Sequence, residues 1–275
     1  MSAVIYHNPD CGTSRNVLAL LREAGEDPQV IEYLKTPPDR ATLERLIADS
    51  GMDVRDVLRI KGTPYKELNL GDPSLTTAQM IDAMLAHPIL INRPFVVTPR
   101  GTRLCRPSDA VLHLLENSPD RDVFKEEGVP FIAVREIHGS DTGLVNALAR
   151  DGLPVDDLNE SPRRFFTFNT LAGSHVGYGG FEQHGRDVLI RSVTVEPGCR
   201  GKGIGRNLIA LLLREAFDQG ARAAWLLTTD SQAFFEKTGF KAVSREIAPA
   251  TILATRQATG LCPATAALLS RSITL

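Results

Sequence analysis

The stretch ENSPDRDVFKEEGVP, Glu116 to Pro130, separates two halves whose hydrophobic patterns call for different architectures. Before it, short apolar runs alternate with helical periodicities. After it, three strand-like runs follow one another with turn residues between them, and only then does a strong helix appear. A chain of 275 residues fits about two domains of ordinary size, and 43% hydrophobic residues give each half enough to bury a core. The expected fold class is therefore α/β in two domains, residues 1–128 and 131–275.

In the first half AVIYH reads as a strand. Val17, Leu18, Leu20, Leu21 and Ala24 form an apolar face at helical spacing stopped by Gly25. PQVIEYL is a second strand, ATLERLIADSGMDVRDVLR gives one or two helices, and TAQMIDAMLAHP gives another. FVVTPRGTRLCRP reads as a hairpin turning at Pro99-Arg100-Gly101. SDAVLHLL reads as a closing helix with Ser108 as its N-cap. In the second half FIAVREI is a strand and TGLVNALARDG a helix. RRFFTFNTL, HVGYGGFEQ and DVLIRSVTV are strands, RNLIALLLREAFDQG is a helix, AAWLLTT a strand and SQAFFEKTG a helix. The tail to Leu275 is apolar and alanine-rich, without clear periodicity.

A formal net charge of −2 gives no reason to expect nucleic acid or an anionic membrane as partner. No apolar run approaches the roughly 18–20 residues of a spanning helix, and MSAVIYHNPD lacks the basic and apolar regions of a secretory signal. The four cysteines, Cys11, Cys105, Cys199 and Cys262, are spread too widely for a disulfide framework or a zinc cluster. These features point to a cytoplasmic protein with reduced thiols.

Cys11 falls where a strand gives way to a helix. That position aims unpaired backbone N–H groups and the positive end of the helix dipole at the sulfur. Such surroundings lower a thiol pKa and suit an oxyanion. The alternative is a buried small hydrophobe, as most free cysteines are. Thr13, Ser14 and Arg15 add hydroxyls and a cation. His7, four residues earlier, would make a metal pair with Cys11, but no further ligand stands at usable spacing, and no metal is expected.

HNPDCGTSRN resembles the active-site loop of the ArsC-type arsenate reductases, which use glutathione and glutaredoxin. LKTPPDRATLERLIADSG, DVLRIKGTPYKELNL, HPILINRPFVVTPRGTRLCRPS and FKEEG resemble that family too, in order, over about the first 128 residues. The resemblance implies a thioredoxin-like domain with Cys11 as nucleophile, Arg59, Arg93 and Arg106 as an oxyanion clamp, and His7 and Ser14 assisting. It implies a cis bond before Pro94 and a structural role for Cys105. Three guanidiniums would offset the repulsion between a thiolate and arsenate. Reduction of As(V) to As(III) takes two electrons, and this site has no C-x-x-C. The implied second thiol is glutathione, with glutaredoxin clearing the mixed disulfide.

In the second half SVTVEPGCRGKGIGRNLIALLL places glycines between a strand and a helix, a nest for a pyrophosphate. It fits neither a Rossmann fingerprint, since the third glycine would fall on Arg206, nor a P-loop. The R-x-x-G-x-G pattern, followed by WLLTTDSQAFFEKTGF, resembles the acetyl-CoA loop of the GNAT acetyltransferases. The resemblance implies that the backbone of Val193 and Val195 binds the pantetheine arm. Arg200, Gly201, Lys202, Gly203, Ile204, Gly205 and Arg206 would hold the pyrophosphate, and Ser231 and Phe235 would flank the arm. Phe235 stands where many members carry a tyrosine that protonates the leaving thiolate, so that role is open. Glu182 and His184 are candidate bases, with exposed turn residues as the alternative. Finer features resemble N-acetyltransferases of arsenic-resistance operons, which implies an amino acid bearing an arsinate or phosphinate as acceptor. Arg191 is then either a partner for that acid group or a core-edge salt bridge.

Together the resemblances imply a bifunctional arsenic-detoxification protein acting on arsenate and a small amine, with homo-oligomerisation an open expectation. The rival is a first half that serves as a non-catalytic regulatory or binding module, beside a second half acetylating a protein lysine or an antibiotic.

Overall fold

The computed structural model describes residues 3–275. The chain divides into two compact units, one ending at Glu127 and joined by Leu275, the other running from Gly128 to Thr274. Among the described residues no helix is long and apolar enough to cross a membrane.

The first unit opens with β1 (Val4–His7), α1 (Gly12–Glu23) and β2 (Gln29–Glu32). Of the strand expected over PQVIEYL, only the four residues Gln29–Glu32 pair. Then come α2 (Arg40–Asp49), α3 (Val54–Val57), α4 (Thr77–Ala86), and the hairpin β3 (Phe95–Thr98) and β4 (Gly101–Leu104). The sheet order is β2-β1-β3-β4, with β1 parallel to β2 and antiparallel to β3. Helix α1 buries Val17, Leu20 and Leu21. Tyr33, Leu43, Leu46, Met80, Met84, Leu90, Phe95 and Leu104 form a core cluster of the unit. The segment expected to close the unit as a capped helix is a 3-10 helix over Ser108–Leu114. Ser108 is its first residue rather than its cap, and Pro107, which has no side-chain donor or acceptor, holds the cap position.

The second unit contains β5 (Ile132–Ile137), α5 (Thr142–Arg150), β6 (Arg163–Thr170), β7 (His175–His184), β8 (Asp187–Val195), α6 (Ile204–Asp218), β9 (Ala223–Thr228), α7 (Gln232–Lys237), β10 (Lys241–Ala242), α8 (Ala250–Leu253) and β11 (Ala267–Ser272). Its sheet order is β10-β11-β9-β8-β7-β6-β5. Strands β5 to β8 form an antiparallel meander. The β8–α6–β9 crossover then makes a parallel pair. The tail contributes β11, which enters the sheet antiparallel beside β9. Helix α6 lies flush on β7: a Cβ at Gly179 would stand 2.6 Å from Leu212 Cδ1, and one at Gly177 2.9 Å from Leu208 Cδ2.

One feature of this sheet prepares a site. Strands β8 and β9 pair only between Asp187–Leu189 and Ala223–Trp225, and past that point each continues without the other. Opposite the β7 side, the β8 register shifts between Tyr178 and Gly180, and Ser192 takes φ 56°. Ile190 to Val195 therefore have no partner on β9, and the Val195 carbonyl accepts from Arg200 Nε instead (2.9 Å).

Candidate active sites

In the first unit Cys11 is the N-cap of α1, with no side-chain cap bond of its own. Its N–H donates to the Asn8 carbonyl (3.1 Å) and its carbonyl accepts from the Arg15 N–H (3.0 Å). The Asn8 side chain accepts from the Asp10 N–H (2.9 Å), so the loop before the cysteine is closed by its own backbone. Burial pushes the Cys11 thiol up. The Ser14 backbone N–H, the charge of Arg93, the Ser14 hydroxyl and the charge of Arg106 together outweigh it, and the thiol lies below its ordinary value.

The guanidiniums named from the sequence lie around this sulfur. The charge of Arg106 acts on Cys11, and its guanidinium donates to the Arg93 carbonyl (3.1 Å). Burial, then the neighbouring charges of Arg93 and Arg106, hold Arg59 below its ordinary value. Arg59 is fixed by its N–H donating to the Leu90 carbonyl (2.7 Å), beside the Leu58–Ile91 bridge. Arg93 is 7% exposed, yet its Nε has no hydrogen-bond partner. A buried, unpaired donor among three cations is a seat suited to a tetrahedral oxyanion. The Arg93–Pro94 bond is cis, and so is Arg106–Pro107, which the sequence did not suggest.

His7 and Ser14 are both buried. Burial, only partly offset by the Glu32 charge and a backbone hydrogen bond with Ser14, lowers the His7 pKa, so the ring is neutral at pH 7. Cys105 is fully buried. Tyr33 was not anticipated from sequence. Its hydroxyl donates to the Ile91 carbonyl (3.3 Å) and its N–H to the His7 carbonyl (3.3 Å). Burial raises the phenol, with Arg93 and Arg59 pulling it back, so Tyr33 is part of the wall behind the arginines. Nothing in YLKT distinguishes it from an ordinary core tyrosine.

In the second unit the glycine loop meets the N-terminus of α6. Gly201 and Gly203 have φ 76° and 80°, which side chains rarely adopt, and Gly203 caps α6. The helix runs 15 residues, long enough for a full dipole at this end. Lys202 Nζ donates to the Gly198 carbonyl (2.8 Å). The Arg200 guanidinium is turned to protein: its Nε donates to the Val195 carbonyl (2.9 Å) and its Nη2 to both oxygens of Asp151 (2.9 and 2.8 Å). Arg206 is exposed. Val193 and Val195 lie on the part of β8 that has left β9. Exposed successive N–H groups on a loop, and strand backbone open along one edge, fit a pyrophosphate followed by an amide-bearing arm.

Ser231 precedes α7, and its N–H donates to the Thr228 hydroxyl (3.1 Å). Phe235 packs edge-on against Phe234 and Phe240 at 5.1 and 6.0 Å. The ring beside the glycine loop is Phe234, 3.2 Å from where a Cβ at Gly205 would stand. Glu182 is 3% exposed, not an exposed turn residue. It accepts from Arg163 Nε (3.1 Å), Arg191 Nη1 (3.4 Å) and, at its other oxygen, faces His184 Nε2 (3.1 Å). Arg191, 3% exposed, also donates from Nη1 to Asp157 Oδ2 at 2.8 Å, and Arg163 Nη2 reaches the same oxygen at 3.1 Å. Asp157, fully buried, is the centre of this network. It sits in a polar loop with no sequence signal to mark it.

The first unit belongs to the ArsC family, and the second matches the profile of the Acetyltransferase (GNAT) family. The ArsC family profile matches residues 6–114, and that of the Acetyltransferase (GNAT) family matches residues 131–240. An arsenate reductase of Rhizobium meliloti (strain 1021) is 59% identical over 128 residues, 46% of this chain and 91% of that protein. The arsenate reductase of Escherichia coli (strain K12) is 55% identical over 124 residues, 45% and 88% of the two chains. The structure of N-acetylglutamate synthase from Neisseria gonorrhoeae, complexed with coenzyme A and N-acetyl-glutamate, covers 53% of this chain and 36% of its own, at 19% identity and a TM-score of 0.43.

Proposed function

We propose that the chain is a bifunctional arsenic-detoxification enzyme whose first unit reduces arsenate through Cys11. The observation that carries the reading is the lowered Cys11 thiol beside Arg93 and Arg106, with Arg59 near them. In the proposed reaction the Cys11 thiolate attacks the arsenic of arsenate, and one oxygen leaves as water after protonation. Arg59, Arg93 and Arg106 bind the remaining oxygens. Glutathione thiolate then attacks the Cys11 sulfur. The As–S electron pair stays on arsenic, which departs as arsenite, and Cys11 is left as a mixed disulfide with glutathione. A glutaredoxin thiol takes up the glutathionyl group and frees Cys11. Ser14 stabilises the thiolate, and neutral His7 is buried at the end of β1.

The second unit, in this reading, transfers acetyl from acetyl-CoA to the amine of a small acceptor. Gly201 to Arg206 would receive the pyrophosphate on backbone N–H groups, and Val193 and Val195 the pantetheine arm. Ser231 and Phe235 would flank that arm. Arg200 would act by its backbone, since its side chain is bound to Asp151. Arg191 and Glu182 lie in one buried ion network and would meet the acceptor; an acid group on the acceptor, arsinate or phosphinate, would have to compete with Asp157 for Arg191. His184, hydrogen-bonded to Glu182, is the candidate to take the amine's proton.

The test is NADPH loss with arsenate, glutathione, glutathione reductase and glutaredoxin, with wild type against Cys11→Ser, and thiol release from acetyl-CoA across a panel of small amines. Arsenate-dependent turnover that is lost in the serine variant, and thiol release with an amino acid bearing an acid side group, are expected. Turnover surviving in Cys11→Ser overturns the first half of the reading. Release with antibiotic amines or peptide lysines alone overturns the acceptor assignment.

A further inference from the structure

The segment Lys125–Glu127 closes the first unit by gripping both sides of its site. Glu126 receives Arg15 in a two-pronged pair, Nε to Oε1 at 2.6 Å and Nη2 to Oε2 at 2.7 Å. The remaining prong, Nη1, donates to the Pro9 carbonyl at 2.6 Å, two residues before Cys11. The next residue of α1, Asn16, accepts from the Glu126 N–H (2.9 Å) and donates to Glu127 Oε2 (3.0 Å). Lys125, one residue before Glu126, is 5% exposed and pairs with buried Asp109 at 2.7 Å, three residues after Arg106. The strap therefore ties the cysteine loop to the strand end that carries a clamp arginine.

We propose that Glu126 is a positioning residue for Cys11, acting through Arg15. This rests on the reading of Cys11 as the reacting thiol. Arg15 stands in the first turn of α1, four residues from Cys11, where a loose guanidinium would compete for the oxyanion. Its three prongs are instead taken by Glu126 and Pro9, and the loop between Pro9 and Cys11 is held from outside. What the strap fixes is the direction of the Ser14 N–H and of the Arg93 and Arg106 charges relative to the sulfur. All three favour the thiolate only at close range.

The sign of one measurement separates positioning from simple charge. Removing a nearby carboxylate, by through-space electrostatics alone, favours the thiolate and moves thiol titration to lower pH. Loosening the loop does the opposite. The experiment is the pH dependence of Cys11 alkylation by iodoacetamide in the full-length protein, followed by mass spectrometry of the Cys11 peptide, for wild type, Glu126→Ala, Arg15→Ala and the double variant. Positioning predicts a shift to higher pH in Glu126→Ala, against the sign of the lost charge, and a double variant that shifts no further than Arg15→Ala, whose own upward shift the loss of a cation near Cys11 would also give. A shift to lower pH in Glu126→Ala, or none, overturns it. Arsenate kcat/KM is expected to fall about tenfold in either single variant, as for a misplaced reacting group, and equally in the double. Full additivity would also overturn the coupling. Cys11→Ser, run in parallel, separates the two claims. If it keeps arsenate turnover, the reading of Cys11 fails, while the alkylation curves still decide whether Glu126 positions the thiol.

Discussion

Replacing Asp157 by Asn perturbs the most deeply buried charge in the acetyltransferase unit. The carboxylate is fully buried and takes Nη1 of Arg191 at 2.8 Å and Nη2 of Arg163 at 3.1 Å. An amide of the same shape keeps the volume but leaves the buried Arg191 with Glu182 as its remaining carboxylate, which Arg163 shares while also pairing with Glu160 at 3.1 Å. Breaking a buried pair from one side costs about 3–5 kcal/mol. With a urea m-value of about 2 kcal/mol per M, the midpoint should fall by about 1.5–2.5 M. Trp225 is the single tryptophan, is 8% exposed, and donates from Nε1 to Asp187 at 2.7 Å, so its fluorescence reports this unit alone. Stability should also depend on pH. Burial opposes ionisation of Asp157, but the hydrogen bonds and charge of Arg191 and the charge of Arg163 outweigh it, and its pKa is lowered. Its contribution is thus complete above the ordinary carboxylate value and is lost as pH falls through the lower folded value; Asp157→Asn should abolish that acid-side loss. A midpoint change under about 0.5 M, equivalent to about 1 kcal/mol, would show the network to be solvated and the reasoning wrong.

Arg93→Ala should abolish arsenate turnover with little change in the unfolding midpoint, and should move Cys11 alkylation to higher pH; turnover within a few-fold of wild type would refute the clamp. Ser14→Ala removes one of the groups that hold the thiol below its ordinary value. Alkylation at pH 6 should therefore slow, with a smaller effect at pH 9, where the thiol titrates anyway. Gly203→Ala forces a side chain onto φ 80° and sets its Cβ 2.9 Å from Val129. The strain of about 1–2 kcal/mol should appear as a higher KM for acetyl-CoA in thiol-release assays, with arsenate turnover unchanged.

Most of the candidate site in the first unit is local in sequence. Cys11, His7 and Ser14 lie within eight positions of one strand–helix junction, and Arg93 and Arg106 bracket one hairpin. Arg59, Arg93 and Arg106 all needed the family resemblance to be singled out from other cations. The closing of the loop by Glu126 depends on a contact 111 residues away in sequence, which no periodicity encodes. In the second unit the glycine loop was legible from residue type, because only glycine suits Gly201 and Gly203. The opening of β8 from β9 was not, since it depends on a register shift opposite Ser192. Asp157 stayed invisible for the same reason, being recruited by Arg163 and Arg191 from other strands. The tail's β11 was missed because its place is fixed by pairing with β9 rather than by its own pattern. Tyr33 carries no sequence signal of its own, being a core tyrosine whose burial puts it behind the arginines.

The claim that most needs testing is that a lone thiol borrows its partner from outside the chain. Protein stopped during turnover with arsenate and limiting glutaredoxin, alkylated and digested, should yield the Cys11 peptide carrying one glutathione, and only when arsenate is present. A Cys11 peptide linked to Cys105 or to another cysteine of the chain, or one that stays unmodified while arsenite accumulates, would contradict the account.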